Sequence, residues 1–374
     1  MAIIQGAITI ALFILILGGL VVIHELGHFF LARAFGIRVL EFGVGFPPRA
    51  RVLRSKGETL YTLNWLPIGG FVKLEDENGG ESFDPRSFGR ARLPVKLVIL
   101  VAGVVMNLLL ALAIFTTIAW FATPNIGLKF DSVEAGSPAA AAGLEGGDAI
   151  VSLDGNGYDF FGSYDDVSPI DDLRANAGRA VTLGILRADG SREDVQATLR
   201  TQAELDAGKG ALGIKAGDAG FEFVFLGEYT GRPLAQALSI GWSETMRWFG
   251  LILEGLGSLV GSVVSNPTAA PPVSGPIGIA TSLGDTFRVS GPVMVLYVAG
   301  ILSANLALVN ILPFPPLDGG RMLVLLLKAI PRYGKRISLR AEQLTYAIGF
   351  VALFTFLIWI TVFDVARQFG GGTP

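Results

Sequence analysis

The chain has 374 residues, half of them hydrophobic and only 16% charged, with a net charge of −3. That balance excludes an ordinary soluble protein and a basic nucleic-acid footprint. There are no cysteines and only two histidines, so disulfides, thiolate metal sites and a cysteine nucleophile are excluded as well.

The first predicted element is a long apolar run from Ala7 to Ile23 that continues to about residue 34, enough to cross a bilayer as a helix. A cleavable signal peptide fits poorly, because no Lys or Arg precedes Arg33 and the run is too long. Arg49–Arg54 and Thr59–Trp65 read as short strands around a Ser55-Lys56-Gly57 turn, followed by Pro67–Lys73. A second span runs from about Val95 to Ala122. Residues 125–202 then read as a soluble domain of short strands and Gly-rich turns, and residues 203–232 as a linker. Over residues 236–264, Glu244, Arg247, Glu254, Ser258 and Ser262 share one arc of a helix, which predicts a helix lying in the membrane interface. A Pro/Gly/Ser loop from Asn266 to Gly278 precedes a third span, from about Pro292 to Leu312, which breaks at Pro313-Phe314-Pro315-Pro316. The fourth runs from about Gln343 to Phe363. The expected fold is therefore a polytopic α-helical membrane protein with about four transmembrane helices. It divides into 1–123, 125–202, 203–290 and 291–374.

Loop charges predict the orientation. Residues 35–96 carry ten Lys and Arg against seven acids, and residues 321–340 carry six with no acid; residues 123–232 carry nine against eighteen. Both basic loops belong in the cytoplasm, which puts the 125–202 domain and both termini outside.

The two histidines stand in His24-Glu25-Leu26-Gly27-His28. Residues four apart share a helix face, so both imidazoles can bind one Zn²⁺, with Glu25 beside a water whose pKa the metal lowers. Ionisable groups inside a membrane helix are costly and functional by default. With no further His or Cys, the third ligand must be a carboxylate or a less usual donor. The acids in or beside the spans are Asp318, Glu342, Asp364, Glu244 and Glu254. Asp318 is favoured: it comes after a Pro-broken helix end, where irregular backbone at membrane depth must line a protein cavity.

His24–His28 on a first transmembrane helix, with Asn310-Ile311-Leu312-Pro313-Phe314-Pro315-Pro316-Leu317-Asp318-Gly319 on a later one, resembles the site-2 protease family of intramembrane zinc metalloproteases. Within it, the chain is most similar to the bacterial branch that includes the regulator-of-sigma-E protease. The resemblance covers nearly the whole chain. Phe42–Pro47 and Pro67–Lys73 resemble that branch's membrane-reentrant β-hairpin loop, Gly103-x-x-x-Asn107 its second helix, and Ser274–Gly278 the loop before its third. It implies that Glu25 is the catalytic base, that His24, His28 and Asp318 hold one Zn²⁺, and that Asn310 contacts the substrate backbone, with Asn305 a weaker candidate. Arg321 departs from the pattern, since many relatives place His there. Gly136-Ser137-Pro138-Ala139-Ala140, with Gly143-Leu144, Gly147-Asp148 and Asp154-Gly155, resembles a bacterial protease PDZ domain, which implies a peptide ligand or a steric cover. The implied activity is cleavage within the transmembrane segments of single-span proteins, such as a pre-trimmed anti-sigma factor, in a bacterial inner membrane. A catalytically silent scaffold binding partners through its PDZ domain is the alternative, and Glu25 speaks against it.

Overall fold

The computed structural model describes residues 2–55, 57–77, 84–162, 168–218, 220–265, 271, 273–334 and 337–369. Lys56 of the expected hairpin turn and most of residues 266–272 of the expected loop lie outside them. The elements run α1 (Ala2–Ala34), β1 (Val39–Arg54), β2 (Leu60–Leu74), α2 (Leu93–Phe121), β3 (Thr123–Lys129), β4 (Ser132–Val133), α3 (Pro138–Ala141), β5 (Ala149–Leu153), β6 (Asn156–Asp159), α4 (Pro169–Ala175), β7 (Ala180–Leu186), β8 (Arg192–Thr198), α5 (Gln202–Asp206), β9 (Ile214–Lys215) and β10 (Glu222–Thr230). They continue with α6 (Leu234–Ser265), α7 (Pro276–Ile311), α8 (Asp318–Ala329), α9 (Pro331–Gly334) and α10 (Leu339–Phe369). Two compact units result, Thr116–Ile240 and the two flanking segments Met1–Phe115 and Gly241–Pro374 together.

Among the described residues, four helices are long and apolar enough to cross a membrane: α1, α2, α7 and α10. A helix pairs most of its backbone groups internally, as hydrocarbon requires. The third starts earlier than hydropathy indicates. Helix begins at Pro276, and Gly291, at φ 77°, interrupts it just before Pro292. Pro292 has no N–H to continue the ladder, so the break falls where the apolar run begins. The preceding stretch carries Asp285 and Arg288 on an exposed face, which hid it from a hydropathy reading. Asp364 of α10, buried to 5%, accepts hydrogen bonds from the N–H groups of Gly275 (3.1 Å) and Gly278 (2.8 Å). These are donors that a helix start leaves unpaired, so a buried carboxylate caps α7. The approach needs glycine, since a Cβ at Gly275 would sit 2.6 Å from Ile360.

The polar arc of α6 does not simply face water. Glu244 is 4% exposed and accepts a 2.6 Å hydrogen bond from the Tyr297 hydroxyl of α7, which in turn accepts one from Trp248 Nε1 at 2.8 Å. The 3.6-residue period located the arc but not the partner it meets.

The hairpin is larger than its two expected strands. Val39–Val44 of β1 pairs with Leu74–Gly70 on one side and lies alongside Leu60–Leu63 on the other, while Arg49–Arg54 pairs with Asn64–Tyr61. Gly70–Leu74 therefore forms an edge of the sheet. Glu41, buried to 8%, is held by Arg49 through two bonds of 3.0 and 2.7 Å and by the Thr62 hydroxyl at 2.9 Å. Beyond this buried base, Phe46, Val52, Leu53, Leu63, Trp65 and Leu66 are exposed, an apolar tip unsuited to water.

The Thr116–Ile240 unit contains a sheet in the order β10-β3-β6-β5-β7-β8 and a separate β4–β9 pair. Its core gathers Ile126, Phe130, Ile150, Leu183, Ile185 and Leu212. The stretch read as a linker includes β9 and β10, and β10 pairs with β3 along Glu222–Phe225. Partners a hundred residues away leave no local signature. Ser137 caps α3 by accepting from the Ala140 N–H, with Pro138 at the first helical position.

Candidate metal centre

His24 and His28 lie one turn apart on α1 and are 6% and 7% exposed. Asp318 reaches them because the chain reverses after α7. That helix ends at Ile311, the backbone turns through the proline segment, and α8 starts at Asp318 itself. Gly319 and Gly320 allow this turn. A Cβ on Gly319 would collide with the carbonyls of Ile311 and Leu312, and one on Gly320 with the backbone at Phe314–Pro315. Glycine lets the first turn of α8 lie against the chain that precedes it and swings the carboxylate back over α1.

His24 Nε2 and His28 Nε2 then lie 3.0 and 3.2 Å from Asp318 Oδ2, and 3.2 Å from each other. The three atoms form a nearly equilateral triangle. Ligands bound tetrahedrally at about 2.0–2.1 Å are about 3.3 Å apart, so this donor set fits zinc and leaves one position open. It is the one group of metal-ligating side chains found among the described residues. The other acids weighed from sequence are occupied or exposed. Glu244 and Asp364 are engaged as above, Glu342 pairs with Lys328 and Tyr346, and Glu254 faces outward.

The neighbouring groups fit a metal as well. His28 Nδ1 donates to the Ile99 carbonyl at 2.8 Å, which fixes its tautomer and leaves Nε2 as the free donor atom. The Asn107 carboxamide lies 3.4 Å from His24 Nδ1, with its Oδ1 buried and lacking a partner among the described residues. Turned by half a revolution, Oδ1 accepts the Nδ1 hydrogen, as a ligating His24 Nε2 requires. Gly103, one turn before Asn107, lies against the imidazoles: a Cβ there would be 2.5 Å from His24 Cε1 and from His28 Nε2. The Gly-x-x-x-Asn spacing, which in sequence resembles the family's second helix, is by itself also a common helix-packing pattern. Its partner is the histidine pair.

Glu25 opens onto a cavity of about 520 Å³ lined also by Val72, Asn107, Asn310, Asp318 and Arg321. Its Oε2 accepts a 3.0 Å hydrogen bond from the Val72 N–H, on the sheet edge. Asn310 is thus brought to the site, whereas Asn305 does not line it. The sequence placed Val72 in the hairpin loop and marked Arg321 as unusual, but it gave neither a partner and did not point to Glu77. Glu77 pairs with Arg321, a contact spanning 244 residues that no local pattern carries.

The chain resembles known proteins along almost all of its length. The family described as Peptidase family M50 matches residues 12–356. A candidate zinc metalloprotease of Clostridium acetobutylicum is 32% identical over 362 residues, covering 96% of this chain and 97% of the relative. The zinc metalloprotease RasP of Geobacillus kaustophilus is 27% identical over 444 residues, covering 96% and 98%. A candidate chloroplastic membrane metalloprotease of Arabidopsis thaliana, ARASP2, is 29% identical over 357 residues, covering 93% and 78%.

Proposed function

The chain belongs to peptidase family M50, and on that premise we propose that it hydrolyses peptide bonds within the transmembrane segments of single-span membrane proteins. It is a multi-pass membrane zinc metalloprotease of the site-2 type. The observation that carries the reading is the His24–His28–Asp318 triangle with Glu25 beside it, in a cavity bordered by the edge of a sheet.

His24, His28 and Asp318 would hold the zinc, which when bound would supply Lewis acidity at the scissile carbonyl and activate a hydrolytic water at neutral pH. Glu25 takes a proton from that water and returns it to the leaving amine. A substrate helix hides its carbonyls in internal hydrogen bonds, and freeing them in a dry site costs several kcal/mol each unless partners are supplied. Gly70–Leu74 supplies them on one side by accepting the unwound substrate as an added strand, and the Asn310 amide supplies them on the other. The apolar tip of the hairpin dips into the bilayer, which keeps that edge at substrate depth. Residues 125–202, within the Thr116–Ile240 unit, serve as a PDZ-like domain that screens the outward part of substrates by size or by holding chain ends. The substrates are membrane proteins already trimmed by another protease, in a bacterial inner membrane.

Purified enzyme incubated with labelled single-span substrates should release fragments cut inside the apolar segment, and prior removal of zinc by a chelator should stop this. Intact substrates throughout the panel, from zinc-loaded protein, would remove the proposal. The loop charges further predict that Ser191→Cys reacts with an impermeant thiol reagent outside intact cells and that Ser55→Cys does not. The opposite labelling would invert the topology.

A further inference from the structure

The edge strand that receives the substrate is not bare. Along an antiparallel edge, alternate N–H groups point outward, here those of Val72 and Leu74. Both are occupied by carboxylates: Val72 N–H donates to Glu25 Oε2 at 3.0 Å, and Leu74 N–H to Glu77 Oε2 at 3.3 Å. The other oxygen of Glu77 accepts from Arg321 of α8, three residues after Asp318. Glu77 is thus tied to the strand by one oxygen and to the metal-site helix by the other.

Resting on the strand-addition reading above, we propose that Glu77, braced by Arg321, competes with the substrate for the outward edge of β2 and so sets substrate affinity. An added strand must present carbonyls to the N–H groups of Val72 and Leu74. Those places are held beforehand by Glu25 and Glu77. A hydrogen bond to a carboxylate is roughly twice as strong as one to a neutral carbonyl, so a substrate must displace the better acceptor. Only an extended segment that fills several edge positions at once compensates for that loss, which selects an unwound chain over a stray loop. Transfer of the Val72 N–H to the substrate also detaches Glu25 as the scissile bond arrives, leaving its carboxylate free beside the metal ligands. The pair guards the edge when no substrate is present, since unpaired strand edges invite adventitious pairing. Arg321 suits this bracing role, because a planar guanidinium clamps a carboxylate more firmly than a single-point donor can.

The test is steady-state cleavage of a single-span substrate in detergent by the full-length zinc enzyme. Glu77→Ala should lower KM by about three- to tenfold, with kcat within about twofold of the unaltered enzyme. The nearly isosteric Glu77→Gln guards against misfolding; it keeps a neutral acceptor and should lower KM by a smaller factor. Arg321→Gln should also lower KM, because it unlocks Glu77 from α8. All three should keep their zinc. A purely supporting role for the pair predicts the opposite sign. KM unchanged or raised in both Glu77 variants, with the unaltered enzyme active, overturns this inference alone. An unaltered, zinc-loaded enzyme that cuts nothing overturns the functional reading, and this inference with it.

Discussion

Glu25→Gln should leave the zinc content unchanged and reduce cleavage of a single-span substrate by about two to four orders of magnitude. That loss corresponds to about 3–5 kcal/mol of transition-state stabilisation. Glu25 sits on α1 between two imidazoles whose Nε2 atoms face Asp318, yet its own carboxylate belongs to no ligand triangle. Its Oε2 is held by the Val72 N–H, and a glutamine carbonyl can accept that same bond. Fold, strand edge and metal site should therefore persist while proton transfer is lost. A Gln variant that turns over membrane substrate at near-native rate would take Glu25 out of the mechanism. A Gln variant that loses zinc would instead mean that the carboxylate supports the metal.

The parts of the site legible in sequence are those whose logic is local or compositional. His24 and His28 announce themselves because a helix puts residues four apart on one face, and because the chain has no other histidine. Asp318 is legible because few carboxylates lie near membrane depth, and only this one comes after a proline-broken helix end. Four spans are readable from length and hydropathy, but the first half of α7 is not, since Asp285 and Arg288 dilute the apolar signal. The long-range pairs are illegible in principle. Val72 meets Glu25 across 47 residues and Glu77 meets Arg321 across 244, and neither has a periodicity. Glu244 is an intermediate case. Its place on the α6 arc is readable, but the Tyr297 hydroxyl that draws it inward lies on another helix. Gly103 teaches the same lesson from the other side. A small residue on a membrane helix reads as packing, and its packing partner here is the His24–His28 pair.

Asp318→Ala and His24→Ala should each drop bound zinc from one per chain to a small residue after dialysis against a mild chelator, and cleavage should fall to background. Three donors within 3.2 Å of one another bind a metal jointly, and losing one leaves a two-ligand site exposed to displacement. Asp318→Asn separates charge from shape. It keeps an oxygen near the same position but removes the negative charge, so zinc affinity should fall between the unaltered protein and the Ala variant. Substitute ligands are not at hand: among the described residues Glu244 is bonded to Tyr297, Glu342 to Lys328, and Asp364 to the start of α7. Glu25 lines the same cavity, and if it moved in as a ligand the variant would keep zinc yet lose its base. A Glu25→Gln/Asp318→Ala double variant decides that point, since its zinc should then fall below that of Asp318→Ala alone. Full zinc in both the single and double variants, with loss confined to His24→Ala, would show that the third ligand is neither carboxylate.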